Sequence, residues 1–536
     1  MKTKAKTQVR AITPDSKMKC LPTVATILLL LAAGGLLPAF AQAQPPGSSS
    51  AGVTYYATYK LSGGTATESD QAYAASAIDT SAIWVTDSGK LTLVNPTITT
   101  TGNTSSADNS SKYGLNAGVL TSPAGVVTIT GGSVTTSGSG ANGLFATGAG
   151  SAITMSDGTI TTTGSAAHGV DVTYGGAITL TNVAISTQGD GASAGLSTDF
   201  GGGTVTVAGG SVTTAGTKSP AIYSTGVITV SGAKLTATGG DGAVIDGANT
   251  IALKDTSLLG KKCGVKVHRT APSSGSATVA IDGGSLTATA GEAFLFVAES
   301  GSLAAAVIVK GGATISTSTG CLVNATSAST VTLTADGETL AGSLIADNTS
   351  SIAATLKNGT TLTSAITKAA LTVDSTSTWV VQGASTLAKL TTAGTISFGS
   401  LANTVTVTGA ASLGGKLLLN LGTTVPSAGT YPLVSAGTVS GAFSSLAFSQ
   451  TLPPGVTATL DYSGTAVTLT VAQTSPTIAG RKDATGADAL FNQPKALAFD
   501  SSDNLYVADT SNAAIRTITP AGVVTTVSLS PSNPSR

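Results

Sequence analysis

The sequence predicts an all-β chain: a right-handed parallel β-helix, that is, a solenoid of short strands, followed by a small C-terminal β-blade fragment. Three observations carry the prediction. A strand-like pentapeptide recurs as VVTIT at Val126, AITMS at Ala152, AITLT at Ala177, TVTVA at Thr204, VITVS at Val227, TIALK at Thr250, TVAID at Thr278, AVIVK at Ala306 and TVTLT at Thr330, with KLTLV at Lys90 as an earlier copy. From Val126 onward its copies start 23 to 28 residues apart, and a fixed period marks a repeat architecture. The composition agrees: aromatics are 4%, charged residues 10% and apolar residues 41%, with 66 glycines. A disordered chain shows the reverse, few apolar residues and many charges.

The chain opens with a targeting segment. Lys2, Lys4, Lys6, Arg10, Lys17 and Lys19 precede the apolar run VATILLLLAAGGLLPAF, and Ala41-Gln42-Ala43 supplies a small-x-small cleavage signal. Residues 1–43 therefore read as a signal peptide cut after Ala43, with translation from Met18 as an alternative start. Cys20 lies ahead of the apolar run, so no lipid-attachment motif is present. Lys+Arg and Asp+Glu balance at 26 each over the whole chain, and the leader holds six basic residues and one acid. Processing leaves 20 basic and 25 acidic residues, a net −5, which argues against nucleic acid as a partner. No membrane span is expected in the processed chain.

Residues 44–89 read as an N-terminal linker and cap, and 90–362 as the repeats. Each period adds a second strand after a tight turn (GSVTTSG, GTITTTG, GSVTTAG, GSLTATA). A short apolar group precedes the pair: GLFA at Gly143, GVDV at Gly169, GLST at Gly195, AIYS at Ala221, GVKV at Gly264 and AFLF at Ala293. Three strands with Gly-rich corners suit one turn of a parallel β-helix. Alternation sends Ile153 and Met155 inward and Thr154 outward, so Thr154, Thr179, Thr206 and Thr229 should form an outer ladder. An antiparallel sandwich would also alternate, but it would not keep a fixed spacing with a recurring strand order. Cys263 and Cys321 are predicted to stay unpaired. The rung at Ala293 lies between them, and two spacings of about 4.8 Å exceed the roughly 7 Å Cα limit of a disulfide.

From 363 to 472 the period loosens. The stretches STSTW, GTYPLV and GAFSSL resemble the C-terminal part of autotransporter passenger domains, and the upstream coils resemble the passenger β-helix, over roughly residues 75–472. The resemblance implies an exported, adhesin-like solenoid. Such a protein continues into a membrane β-barrel, and the 64 residues after Ala472 are too few for one. After a linker at 473–478, residues 479–527 resemble a single NHL-type propeller repeat, carried by ALFNQPKALAFD, NLYVADT, AIRTITPAG and VVTTV. Up to four short strands are expected there, with turns at Ser501-Ser502-Asp503 and Pro520-Ala521-Gly522. Propellers close with several blades, so propeller-type binding does not transfer to one. Residues 528–536 read as a disordered tail.

No catalytic, cofactor-binding or metal-ligating residue is assigned. Some polysaccharide-degrading enzymes share this fold and need clustered carboxylates beside a cation. Here Asp157, Asp171, Asp190, Asp199, Asp241, Asp246, Asp255 and Asp282 look scattered, and Arg269 is the only arginine between 90 and 472. Lys266 and His268 of KVHR share a face and read as a solvated edge, and His168 as a corner histidine. GSGANG (138–143) lacks a following helix, and GGDGAV (239–244) lacks the next Asp of a Ca²⁺ repeat. Five N-x-S/T sequons, at Asn103, Asn109, Asn324, Asn348 and Asn358, follow from the Ser/Thr content. The expected function is therefore that of an exported, secreted or cell-surface adhesin-like protein binding glycans, surfaces or cells without catalysis. The alternatives are a carbohydrate-active enzyme using Asp199 or Arg269 on acidic polysaccharide, and an ice-binding face. The Thr ladder argues for the latter, but it breaks at Ala252, Ala280 and Ile308.

Overall fold

Residues 53–271, 274–473 and 480–528 are described by the computed structural model. The leader, all but the first residue of the predicted linker, and all but the first residue of the predicted tail lie outside the described residues. The fold is nearly all β, 57% strand and 3% helix, and forms a parallel β-solenoid of about 16 turns with a small antiparallel sheet at the C-terminal end.

One rung shows how the sequence produces the stack. Gly176–Thr181 pairs in parallel with Ala152–Ser156 on one side and Gly203–Ala208 on the other, which aligns Ile153, Ile178 and Val205 in one column and Met155, Leu180 and Val207 in the next. All six are buried, and each such side chain contributes about 1.5–3 kcal/mol. The outward alternation is hydroxyl-rich. Thr67, Thr92, Thr128, Thr154, Thr179, Thr206 and Thr229 stand in register on successive rungs. Ala252, Ala280 and Ile308 interrupt the ladder, which resumes at Thr334, Thr355, Thr372 and Thr391.

The turn after this strand needs a left-handed residue. Asp70, Asn95, Asp157, Asn182 and Asp255 occupy it at φ between 47° and 55°, and Gly131, Gly209 and Gly232 occupy it on other rungs. L-residues with bulkier side chains pay for that conformation, while Asn, Asp and Gly tolerate it. The Asx side chains also join rungs, Asn95 Nδ2 donating to Asp70 Oδ1 at 3.0 Å and Asn182 Nδ2 to Asp157 Oδ1 at 2.9 Å. The second strand ends in an inward threonine. Thr162, Thr187 and Thr214 are buried and donate to the carbonyls of Ala167, Ser193 and Ser219 at 3.1, 2.9 and 2.7 Å, closing the corner.

The solenoid extends beyond both predicted limits of 90–362. Its first rung is Tyr56–Ser62, Thr65–Ser69 and Ala72–Ala75, paired in parallel with Thr80–Thr86, Lys90–Val94 and Thr97–Thr100. Tyrosine and charge on that end rung hide the aliphatic pattern. Past 362 the rungs continue to Gly429–Gly441 and Ser445–Phe448. There the period shortens because two strands fuse. Ile366–Val373 pairs with both Ser343–Ala346 and Ser351–Lys357, with Lys368 at φ 60° where the corner used to be. The stack ends on antiparallel strands, Ala466–Gln473 against Gly429–Gly441 and Val456–Tyr462 against Ala466–Gln473.

The small C-terminal sheet is an antiparallel meander of Pro494–Phe499, Leu505–Asp509, Ala514–Ile518 and Val524–Thr526, with its first and last turns where the sequence places them and a further turn at Thr510–Asn512. Its centre is ionic. Arg516 is fully buried, reaches Asp483 at 2.5 Å and Asp509 at 3.1 Å, and lies 4.9 Å from the Phe491 ring. Pro494–Phe499 is exposed throughout.

Mid-stack columns have neighbours on both sides and little room to collapse. Ile178→Ala is expected to lower the unfolding free energy by about 2–5 kcal/mol, read by urea denaturation followed by circular dichroism. A change below about 0.5 kcal/mol would contradict the packed column.

Candidate functional site

Most outward positions of the solenoid face solvent, but one patch does not. The short strands Leu144–Thr147 and Val170–Thr173 are buried on both faces. The cover comes from an insertion: KLTLV and VVTIT start 36 residues apart instead of about 25, and the extra chain holds a helix, α1, at Ala107–Tyr113. Its sequence specifies both ends. Ser106 caps the N-terminus by accepting from Asn109 N–H, Asp108 sits in the first turn, Lys112 sits in the last, and Gly114 at φ 69° ends the helix. A Cβ at Gly114 would lie 2.4 Å from the Phe145 ring, so only glycine fits where α1 meets the sheet. Leu120 and Phe145 form an outer apolar cluster with Ala117, against which Tyr55 and Trp84 pack.

Beyond Phe145 this column turns polar, continuing in register through Asp171, Ser197 and Tyr223. Asp171 is fully buried; its Oδ1 accepts the Val172 N–H at 2.9 Å, and its Oδ2 has no partner among the described residues. Burial, and after it the neighbouring Asp199 carboxyl, push Asp171 well above the usual carboxylate range, against the opposing pull of Ser197 and the Val172 N–H. Asp199 follows Leu196–Thr198, and its N–H donates to Val172 O at 2.9 Å. Burial raises it to about 6, opposed by the Phe200 N–H and Lys112 and reinforced by Asp246. Tyr223 is raised by burial and by Asp199, Asp246 and Asp171; Tyr174 is pushed up to about 12 by burial and by Tyr113. Three of the acids that look scattered in sequence thus share one face of one sheet.

The same face continues to KVHR. Lys266 and His268 do share a side, and Glu299 ties them together at 3.3 and 3.1 Å. His268 and then Lys266 hold the Glu299 carboxyl below its ordinary value. Arg269 takes the inward alternation with Val265 and Val267, is buried, and donates to Ser302 O. It lies three rungs beyond Asp199, roughly 14 Å at the strand spacing, so the two residues singled out for polysaccharide chemistry do not meet.

His168 occupies a corner and is buried there. Its N–H donates to Asn142 Oδ1 at 2.7 Å, and its Nδ1 accepts from the Ala194 N–H at 3.0 Å. Cys263 and Cys321 are free, buried thiols. Glu292 lies on the rung between them, its Oε2 4.0 Å from Cys263 Sγ. Burial is the leading cause that raises both thiols above their ordinary value. Among the described residues no group of three or more His, Cys, Asp and Glu is placed to hold a metal ion, and no helix is long and apolar enough to cross a membrane. Comparison with known proteins leaves the family open: no family model matches the chain, and no curated protein matches it.

Burial lowers the His168 pKa to about 4, so the native protein holds it neutral while the unfolded chain protonates it near 6.5. Its contribution is complete above pH 6.5 and is lost as pH falls from there to about 4. Urea titrations at pH 7 and 4.5 should show a loss on the order of 2–3 kcal/mol from this residue, largely absent in His168→Gln. Equal pH dependence in the two proteins would refute the assignment.

Proposed function

We propose that the chain is an exported structural or adhesin-like solenoid that binds glycans, surfaces or cells without catalysis, released or displayed after cleavage at Ala43. The observation that supports this best is the register of the outer ladder. Hydroxyls stand on seven successive rungs from Thr67 to Thr229, about 4.8 Å apart, a one-dimensional array of donors and acceptors suited to an extended polar ligand. The resemblance to autotransporter passengers supports export and display. The four-stranded C-terminal meander accords with one NHL-type blade.

A second reading, cleavage of an acidic polysaccharide, draws on the pairing of Asp171 with Asp199, two carboxyls whose environments raise both. Two neighbouring carboxyls are the raw material of glycosidic chemistry. The separation of Arg269 from Asp199 and the burial of Asp171 weigh against it. An ice-binding face is weakened further. Beside the break in the ladder, Lys254, Asp282, Lys310, Asp336 and Lys357 stack as an alternating charge column, with ion pairs of 3.2 Å (Lys310–Asp282) and 3.1 Å (Lys357–Asp336).

The processed chain should be retained on at least one of a glycan array, cultured cells or abiotic surfaces. The exposed double variant Thr128→Lys/Thr179→Lys, which leaves Thr154 between the two lysines, should weaken that retention about tenfold or more, roughly 1.4 kcal/mol, with an unchanged circular dichroism spectrum. Failure to hold any surface, together with chain scission of a polyuronate that Asp199→Asn abolishes, would replace this reading with the second.

A further inference from the structure

Asp171 is shut in without a counter-charge at hydrogen-bond distance. Its Oδ1 takes only the adjacent Val172 N–H; its Oδ2 and the nearby Ser197 Oγ, both fully buried residues, have no partner among the described residues. The same outward face is closed by α1, whose ties are side-chain bonds and ring contacts and not strand ladders; at its C-terminal end Ser81 Oγ lies 3.4 Å from Gly114 O and 3.2 Å from Leu115 O. Thr173 Oγ1 donates to Lys112 O at 2.9 Å, Ser110 Oγ donates to Gly140 O at 2.7 Å, and the Tyr113 and Tyr174 rings stack at 6.0 Å. Lys112, the only cation of α1, binds Asp108 at 2.7 Å and lies 5.0 Å over the Phe200 ring. It is not bonded to Asp171.

We propose that α1 is a lid that stays closed over this face while the Asp171 carboxyl carries its proton and lifts when that carboxyl ionises. An ionised carboxylate sealed in this place would have the Val172 N–H, the Ser197 hydroxyl beside it and no ion pair, a burial that costs several kcal/mol. Unfolding the rungs would hydrate it at the loss of strand pairing on both sides. Lifting a seven-residue helix hydrates it at the loss of a few bonds, so the local opening wins. The other groups facing this pocket are Asp199, Tyr223 and Asp246 from the sheet, Tyr174 beside it, Tyr55 from the N-terminal segment, and Asp108, Lys112 and Tyr113 from α1. Asp199, raised to about 6, pushes in the same direction. Both carboxyls bind protons more tightly in the closed state, so closure is strongest below the ordinary carboxyl range near pH 4. It weakens as pH climbs through about 6. Opening would bare Phe145, Tyr174 and the two acids on an otherwise Ser/Thr-coated solenoid. The inference depends on no ligand and stands apart from the proposed function.

Hydrogen exchange read by mass spectrometry over residues 107–114 tests it, on the processed chain between pH 4 and 8, with each rate divided by its intrinsic rate. Protection there should fall with rising pH by up to about tenfold per unit for each carboxyl titrating, while Gly203–Ala208 stays constant. Asp171→Asn/Asp199→Asn should remove the slope. Thr173→Val, which cuts a tie of α1 and leaves both acids, should lower protection at every pH and keep the slope. Equal wild-type protection at pH 4 and 8, or an undiminished slope in the double variant, would overturn the lid. If the double variant does not fold, the wild-type and Thr173→Val profiles decide alone.

Discussion

Strands inside the solenoid find their backbone partners on the rungs before and after them, with one break where Thr314–Thr317 ends one sheet and Thr339–Ala341 begins another. A buried N–H or C=O without a partner is expensive, so a rung that slips by one residue would lose its bonds and turn its aliphatic face outward at once. Parallel in-register stacking therefore propagates any choice made on one rung to the next. The columns are the visible result: Ile, Val, Leu and Met stack inward, Thr stacks outward, and Asp, Asn or Gly stack at the left-handed turn. Even the charged column obeys the rule, because like charges a strand spacing apart would repel and Lys254, Asp282, Lys310, Asp336 and Lys357 alternate instead. Such exposed pairs contribute little stability each, but they penalise a register that puts Lys over Lys.

The same constraint explains where a special site can arise. Rung interiors are closed to insertion, whereas a corner can lengthen without disturbing the ladders. The added segment around α1 exploits this freedom and turns an outward face into an inward one. Phe145 becomes an apolar core residue on the far side of the sheet, and Asp171 exchanges water for a pocket. The neighbouring corner is strict in another way: Asn116, Asn142 and His168 occupy it on successive rungs and bond main-chain or side-chain groups above and below.

The fold was legible because aliphatic/Thr alternation and period are both local and repeated. Ile153, Met155, Thr154 and their successors take the faces that alternation assigns. Less was legible where the columns change chemistry. The rungs beyond 362 lost their period when two strands fused at Lys368, and the first rung was masked by tyrosine and charge. The candidate site was hardest to read. Asp171, Ser197 and Tyr223 are 26 residues apart in sequence and meet only through register, so scanning for neighbouring acids misses them. Two signals were nevertheless present: the 36-residue gap before Val126, and SSADNSSKYG, with its Ser106 cap, Asp108–Lys112 pair and terminal Gly114.

A stack held together by open ladders must also stop. The last parallel rung, Gly429–Gly441, would present a free edge ready to pair with another chain. Ala466–Gln473 occupies that edge in the opposite direction, and Val456–Tyr462 pairs with it in turn. Reversal of direction ends the column logic, because an antiparallel neighbour no longer places the next Thr over Ser440 or the next aliphatic over Val434. The outermost strand is short and half-exposed, is preceded by Pro453 and Pro454, and carries Asp461 bonded to Thr470 Oγ1. Proline cannot extend a ladder, and an edge carboxylate disfavours a further apolar strand. Ser445–Phe448 ends its own sheet beside Lys416–Leu419, but along Gly429–Ser435 the cap pairs the edge of the last rung while refusing a further parallel strand, which lets an architecture built on endless repetition have a defined length there.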